Sequence, residues 1–504
     1  MRLKQHLNSI LSRLADPNKS SQTFYIFVAA HLLVWTVYSY VTQSNLDKWG
    51  DMAENFAWGQ EWQFGYYHHP PFFAWVTALW FKIFPTEDWA YFLLSQVNVI
   101  IGFVAIWFLA KIFLSDRHAL IAVVLLELVP FYTFLAIKFN ANSILLSLWP
   151  LTALFFCHAY TTRRFGPTLL FGILAALAIL SKYYSFCLLA ALFLISILCK
   201  ERKQYYTSFS PYLSVLTLLL ALVPHLVWLF RVDFLPVHFA ASHIINDPFR
   251  IAIITAKFGV AQLLYLLPMA VAFVAIVGVH ALRRPQRLNL NDSSRVTIFG
   301  LTFFPFVLTI GGALVLQVEL SSVWGLPIWF FIGASLLIFL GRDLVGNQVR
   351  RGLAIVFTFQ LLVLSASPLV ALGMELSKKE VRISPRKELA AYVSNMWHQR
   401  FGKPLRIVAG SKPYADSITF YSADHPSLFI DFDFRISPWI SPERLRAEGL
   451  AIVCLQVDQR CLAKIDEQFG ARGERITAQI KSRRSMFSNP DPVDFVLVLI
   501  QPET

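Results

Sequence analysis

Residues 45–75, NLDKWGDMAENFAWGQEWQFGYYHHPPFFAW, crowd ionisable and hydrogen-bonding side chains between two apolar runs. Asp51 and Glu54 are carboxylates suited to taking a proton. Tyr66, Tyr67, His68 and His69 add donors and acceptors ahead of the stiff Pro70–Pro71 step. Further along, Lys138, Asn140 and Asn142 share one polar break in the apolar pattern, and Lys182 with Tyr183 and Tyr184 forms a second. Arg231, Asp233, His238, His243 and Asp247 make a third. Cations beside a carboxylate at a lipid boundary suit a phosphate-bearing lipid together with a proton to remove.

The elements that must position these groups are membrane helices. The chain is 56% hydrophobic and only 15% charged, with a mean hydropathy of +0.55, whereas soluble domains carry about 25% charge. Apolar runs predict about eleven spans, at 23–42, 90–114, 119–136, 144–160, 168–181, 184–199, 211–230, 258–282, 296–316, 324–340 and 352–374. The apolar piece 70–84 is too short to cross and reads as an interfacial helix of the first outer loop. Residues 1–21 are polar and basic, which predicts a cytoplasmic N-terminus and no cleavable signal peptide.

The net charge of +13 does not indicate nucleic acid. The basic residues cluster in the connections 115–118, 163–164, 200–203, 283–295 and 342–351, all on one side, as the positive-inside rule requires. The polar breaks described above fall on the opposite side, where four separate stretches gather ionisable groups at a membrane surface. From about Ser377 the pattern changes to short alternating helical and β-rich segments, with strands expected at 405–408, 427–432, 451–457 and 495–500. The division is therefore a membrane domain at 1–376 and a small α/β domain at 377–504 on the outer side. Cys454 and Cys461 in that tail can pair if it is extracytoplasmic.

The Asp–Trp–GYYxHPP pattern resembles the first outer loop of the GT-C membrane glycosyltransferases. Within them it is similar to the protein mannosyltransferase-like group that includes the aminoarabinose and rhizobial galacturonosyl transferases of lipid A and core. KFNANSILLSLW, AALAILSKYYSF, PHLVW and the tail sequence AGSKPYADSITFYSADHPS agree with it. The resemblance implies a GT-C fold in a bacterial inner membrane. It further implies transfer of a sugar from a polyprenyl-phosphate carrier to a periplasmic hydroxyl, on a glycolipid such as lipid A or lipopolysaccharide core. By position it makes Asp51 the catalytic carboxylate that activates or orients the acceptor, and Tyr66, His69 and Lys182 ligands of the carrier phosphate; Arg231, from its own outer-loop position, is a further candidate cation. Glu54, Tyr67, His68, Lys138, Asn142 and His243 become substrate-side candidates. Two departures stand out: Met52 follows Asp51 where the family has Glu, and Asn142 stands where an Asp is common.

Each candidate has a plainer reading. Asp51 can cap a helix starting near Met52, Lys182 can snorkel from a helix end, and Arg231 can pair with Asp233. His68 and His243 are the candidate pair for a divalent metal but lack an identified third ligand. Glu127, in the middle of a span, reads as a hydrogen-bonded structural acid. Competing functions are a transporter or flippase of lipid-linked sugars and a protein O-glycosyltransferase. The transporter class predicts repeated halves and polar groups at the midplane, whereas here the polar groups sit at one surface and no repeat is visible.

Overall fold

The computed structural model describes residues 2–279, 291–341, 343–470, 472–483 and 489–503. Most of the expected basic connection 283–295, the end of the expected span 258–282 and Arg342 lie outside the described residues. The chain opens with α1 (Arg2–Leu14), α2 (Ser20–Thr42), α3 (Asp51–Glu61), α4 (Phe72–Trp80), α5 (Asp88–Lys111) and α6 (Asp116–Val124). Then follow α7 (Leu145–Thr162), α8 (Phe165–Ser181), α9 (Phe186–Leu198), α10 (Arg202–Tyr206), α11 (Ser210–Arg231) and α12 (Leu235–Ala241). The helical region closes with α13 (Pro248–Val277), α14 (Asp292–Leu316), α15 (Ile332–Leu340) and α16 (Gly346–Leu376).

Among the described residues, six helices are long and apolar enough to cross a membrane: α2 with the turn before it, α5, α11, α13, α14 and α16. Two expected spans are not continuous helices. The segment 119–136 is α-helical only to Val124 and then runs through 3-10 turns. Pro130 is the reason: the residue before a proline is driven out of the helical region, and Val129 is extended at φ −90°, ψ 120°. The segment 324–340 becomes α-helical only at Ile332, after Pro327 has removed a backbone donor. Helix α4 has nine residues, about 14 Å at 1.5 Å per residue, and is too short to cross.

Packing divides the chain into two compact units, one of residues 1–35, 68–70 and 95–364, the other of residues 36–67, 71–94 and 365–504. In the first unit, small residues let helices approach closely. A Cβ added to Gly172 of α8 would lie 2.5 Å from the Ser214 carbonyl of α11. Glu127 is fully buried there. Its carboxylate faces His31 Nδ1 at 2.6 Å and accepts from Trp35 Nε1 at 2.8 Å and Gln360 Nε2 at 3.0 Å, so its polar atoms are satisfied inside the bundle.

The second unit is built on a five-stranded mixed sheet with order β2-β1-β3-β5-β4. Its strands are β1 (Ile407–Gly410), β2 (Ser427–Phe429), β3 (Leu450–Leu455), β4 (Glu474–Ile480) and β5 (Val493–Ile500). β1 runs parallel to β2 and β3, while β5 is antiparallel to β3 and β4, in registers such as Val408↔Ala451 and Ile452↔Val498. Helices α17 (Arg386–Phe401) and α18 (Tyr414–Tyr421) supply Leu389, Val393, Trp397, Ala415 and Ile418 to one core layer, and Ala57 of α3 joins it. Cys454 of β3 is disulfide-bonded to Cys461 at the start of α19 (Gln459–Gln468). The helix of the first loop thus shares a hydrophobic core with the tail.

Candidate active site

Helix α3 starts at Asp51, and its first turn is held from several directions. Gly50 turns the chain into it at φ +83°, and a Cβ there would lie 2.6 Å from Pro413 Cβ. Asp47 supplies the cap, accepting the backbone N–H of Trp49 at 3.0 Å, Asp51 at 3.2 Å and Met52 at 2.8 Å. The orphan amides of a helix start need such an acceptor. The capping role open to Asp51 is therefore taken by Asp47. The buried Arg386 guanidinium donates to the carbonyls of Asp47 at 2.5 Å and Lys48 at 2.7 Å, fixing the approach to the helix.

One turn along α3, Glu54 is 7% exposed and its carboxylate pairs with Lys412 Nζ at 2.8 Å. Asp416, buried beside them, has one oxygen, Oδ2, without a hydrogen bond. Burial pushes the Asp416 carboxyl up to about 7, with Lys412 opposing the shift and Glu54 adding to it. Burial alone would lower the Lys412 ammonium, but the facing carboxylates of Glu54, Asp416 and Asp51 hold it well above the ordinary lysine range. Tyr66 is 1% exposed, stacks on Trp58 at 4.9 Å between ring centres and donates its hydroxyl to the Trp58 carbonyl at 2.6 Å. Its hydroxyl serves the fold.

In the other unit the centre is Lys182, which caps the C-terminus of α8 in the break before the next 3-10 turn. Its Nζ donates to Asn142 Oδ1 and lies 4.7 Å from the centre of the Trp324 ring. Asn142 is itself fixed by Asn140, whose Oδ1 accepts from the backbone N–H of Asn142 at 3.0 Å and of Ser143 at 3.1 Å. Burial lowers the Lys182 ammonium to about 7, and among the described residues no carboxylate forms an ion pair with it. The neighbouring Tyr183 hydroxyl meets His225 Nε2 at 2.8 Å, and His225 stacks on Trp228. A half-buried cation beside an amide and an indole has the chemistry to receive an anion.

Comparison with known proteins bears on this arrangement. Residues 68–228 match the sequence model of the dolichyl-phosphate-mannose-protein mannosyltransferase family. No curated protein is similar enough in sequence to be matched. Among solved structures, ArnT from Cupriavidus metallidurans bound to undecaprenyl phosphate superposes with a TM-score of 0.60 at 15% identity, covering 94% of this chain and 97% of that one. The same protein in its apo state gives a TM-score of 0.50 at 15% identity, covering 94% and 98%. The fold is GT-C, of the ArnT type.

Within this ArnT-type fold the candidates fall into three groups. Asp51 and Glu54 sit on one helix, but Glu54 is engaged by Lys412. Lys182 and Asn142 are in contact, with Lys138 half-buried in the loop that carries Asn142. His68, His69 and His243 gather near Phe239: the His68 ring lies 4.9 Å from it, that of His243 4.8 Å, and His68 and His69 are 4.5 Å apart. His243 is exposed and donates Nδ1–H to the Phe239 carbonyl at 3.0 Å. Among the described residues no group of three or more His, Cys, Asp or Glu is arranged to hold a metal, so His68 and His243 gain no third ligand. Arg231 is exposed at the end of α11, and Tyr67 is half-buried. Asp47, Arg386, Lys412 and Trp324 were not among the sequence candidates. Asp47 lies inside the 45–75 stretch and Lys412 inside the AGSKPYADS segment of the tail, but neither carries a role that its own neighbours in sequence reveal.

Proposed function

We propose that this protein is a multi-pass membrane glycosyltransferase that moves a sugar from a polyprenyl-phosphate carrier to an acceptor hydroxyl. The observation that carries the reading is the half-buried Lys182 ammonium, which has an amide and an indole beside it and, among the described residues, no carboxylate in an ion pair with it. A cation kept out of water without a counter-ion is stabilised by a ligand that brings the negative charge. The ArnT-type fold and the bound undecaprenyl phosphate of that ArnT structure support a lipid phosphate as the ligand. His69 and Arg231 are further candidates for the same phosphate.

Asp51 is the proposed general base. It takes the acceptor's hydroxyl proton as that oxygen attacks the anomeric carbon. The bond from that carbon to the carrier phosphate oxygen breaks, and the polyprenyl phosphate leaves as an anion neutralised by Lys182. Backside attack inverts the anomeric centre. A phosphate needs no proton to depart, so a single carboxylate suffices, unlike the pair used in glycoside hydrolysis. The outer face would be periplasmic, and the Cys454–Cys461 disulfide supports an oxidising compartment for residues 377–504. The acceptor class is a glycolipid such as lipid A or lipopolysaccharide core.

Mass spectrometry of envelope glycolipids and proteins, with and without the protein, tests the reading. One sugar mass should disappear from a glycolipid, whereas loss from a protein would move the acceptor to protein hydroxyls. Asp51→Asn should lower transfer by about 10²–10⁴-fold, the contribution of a positioned base, while undecaprenyl phosphate still binds. Undiminished transfer would remove Asp51 from the mechanism.

A further inference from the structure

The cluster around Asp51 contains a cation that the proposed reaction leaves without a role. Lys412 stands in the turn between β1 and α18, and its Nζ contacts Glu54 Oε2 at 2.8 Å. Glu54 lies three residues after Asp51, on the same face of α3. Its carboxylate is almost completely enclosed and has no other ion-pair partner among the described residues. The next residue, Pro413, presses on Gly50 so closely that no Cβ fits there. Arg386 holds the two residues before that turn through the carbonyls of Asp47 and Lys48. Beside the carboxylates of Asp51, Glu54 and Asp416 stand the charges of Lys412 and Arg386, the latter acting on Asp416. Of the two cations, Lys412 faces Asp51, Glu54 and Asp416.

We infer that Lys412 is a positioning residue for glycosyl transfer: its ion pair with Glu54 fixes the first turn of α3, and its charge keeps the Asp51 carboxylate in its working place and ionisation state. This rests on the reading of Asp51 as the base. It also gives Glu54 a different part from that of a substrate ligand. Glu54 is the anchor by which residues 377–504 grip the helix that carries the base. The chemistry is specific to an ammonium. A neutral side chain of similar length would strand an enclosed carboxylate, and that carboxylate would recover its balance by binding a proton or by moving toward water.

The full-length protein in membranes, supplied with a total lipid extract of the bacterial host, allows a direct test with product read by mass spectrometry between pH 5 and 8. Lys412→Met should lower turnover about tenfold or more, since a misplaced base loses rate steeply. It should also move the acidic limb of the pH profile upward by about one unit, as a carboxylate does on losing a facing cation. Lys412→Arg should recover the limb. The double variant Glu54→Gln/Lys412→Met leaves no lone buried charge and should melt close to wild type, yet show the same slow turnover and shifted limb. Wild-type turnover and an unmoved limb in the double variant would overturn the proposal. Asp51→Asn separates the two readings: if it stays active, the base assignment has failed. If it is inactive while both Lys412 variants behave as wild type, the positioning role alone has failed.

Discussion

Lys182 offers the sharpest quantitative test of the proposed carrier site, because its surroundings set both a magnitude and a sign. Burial brings its ammonium down to about 7 before any ligand arrives. A bound phosphate supplies the missing partner and raises that value. The electrostatic part of binding is therefore fully present below pH 7, weakens progressively above it, and is gone once pH has passed the raised value of the complex. If only the charged form binds, the apparent affinity follows its population, which falls from about nine-tenths at pH 6 to about one-tenth at pH 8, an approximately tenfold weakening. Replacing Lys182 by Met removes a charge-assisted hydrogen bond worth about 1.5–3 kcal/mol, or about 10–150-fold in affinity at pH 6. Undecaprenyl phosphate added to the solubilised protein is a suitable probe, and the Trp324 ring, 4.7 Å from Nζ, gives a fluorescence signal. The Met variant reports the titration of the probe itself, so the difference between the two curves isolates Lys182. Equal affinities and parallel pH dependences in wild type and Lys182→Met would refute the phosphate assignment.

Two further outcomes concern the frame around Asp51 and the tail that packs on it. Gly50→Ala asks for a side chain at φ +83° with its Cβ 2.6 Å from Pro413 Cβ, and should cost about 1–3 kcal/mol in strain and overpacking. Thermal unfolding of the solubilised protein reads this, and an unchanged midpoint would show that the contact relaxes freely. Cys454→Ser/Cys461→Ser opens a short loop, the two positions being seven apart in sequence, and should cost about 2 kcal/mol by loop-closure entropy. Reductant should destabilise the wild type by a similar amount and leave the double variant unaffected.

The membrane character was legible because apolar runs and basic connections are first-order consequences of burial in lipid and of charge at its cytoplasmic edge. The helical segments appear close to where those runs end, with α11 at Ser210–Arg231 against an expected 211–230. The misses have local causes. Hydropathy averaging cannot see that Val129 must be extended before Pro130, so 119–136 read as one helix. Strand β4, ERITAQI, was overlooked because it lies at the sheet edge and most of its side chains meet water, leaving little apolar signal to read.

The site was half legible, and the division follows the range of the interactions. Local chemistry could be read: a carboxylate at the head of a helix, or a lysine ending an apolar run. Roles that depend on a partner far along the chain could not. Glu54 and Asp51 look alike in DMAEN, and only the arrival of Lys412 from the opposite end of the chain makes one an anchor. Tyr66 looks like a phosphate donor in GYYHHPP until its ring is found stacked on Trp58 with its hydroxyl spent on a carbonyl eight residues back. Asp47, silent in the sequence, does the capping that Asp51 was suited to do. The acids of the first loop therefore divide by partner: Asp47 holds a helix start, Glu54 a buried ion pair, and Asp51 is the one proposed as base.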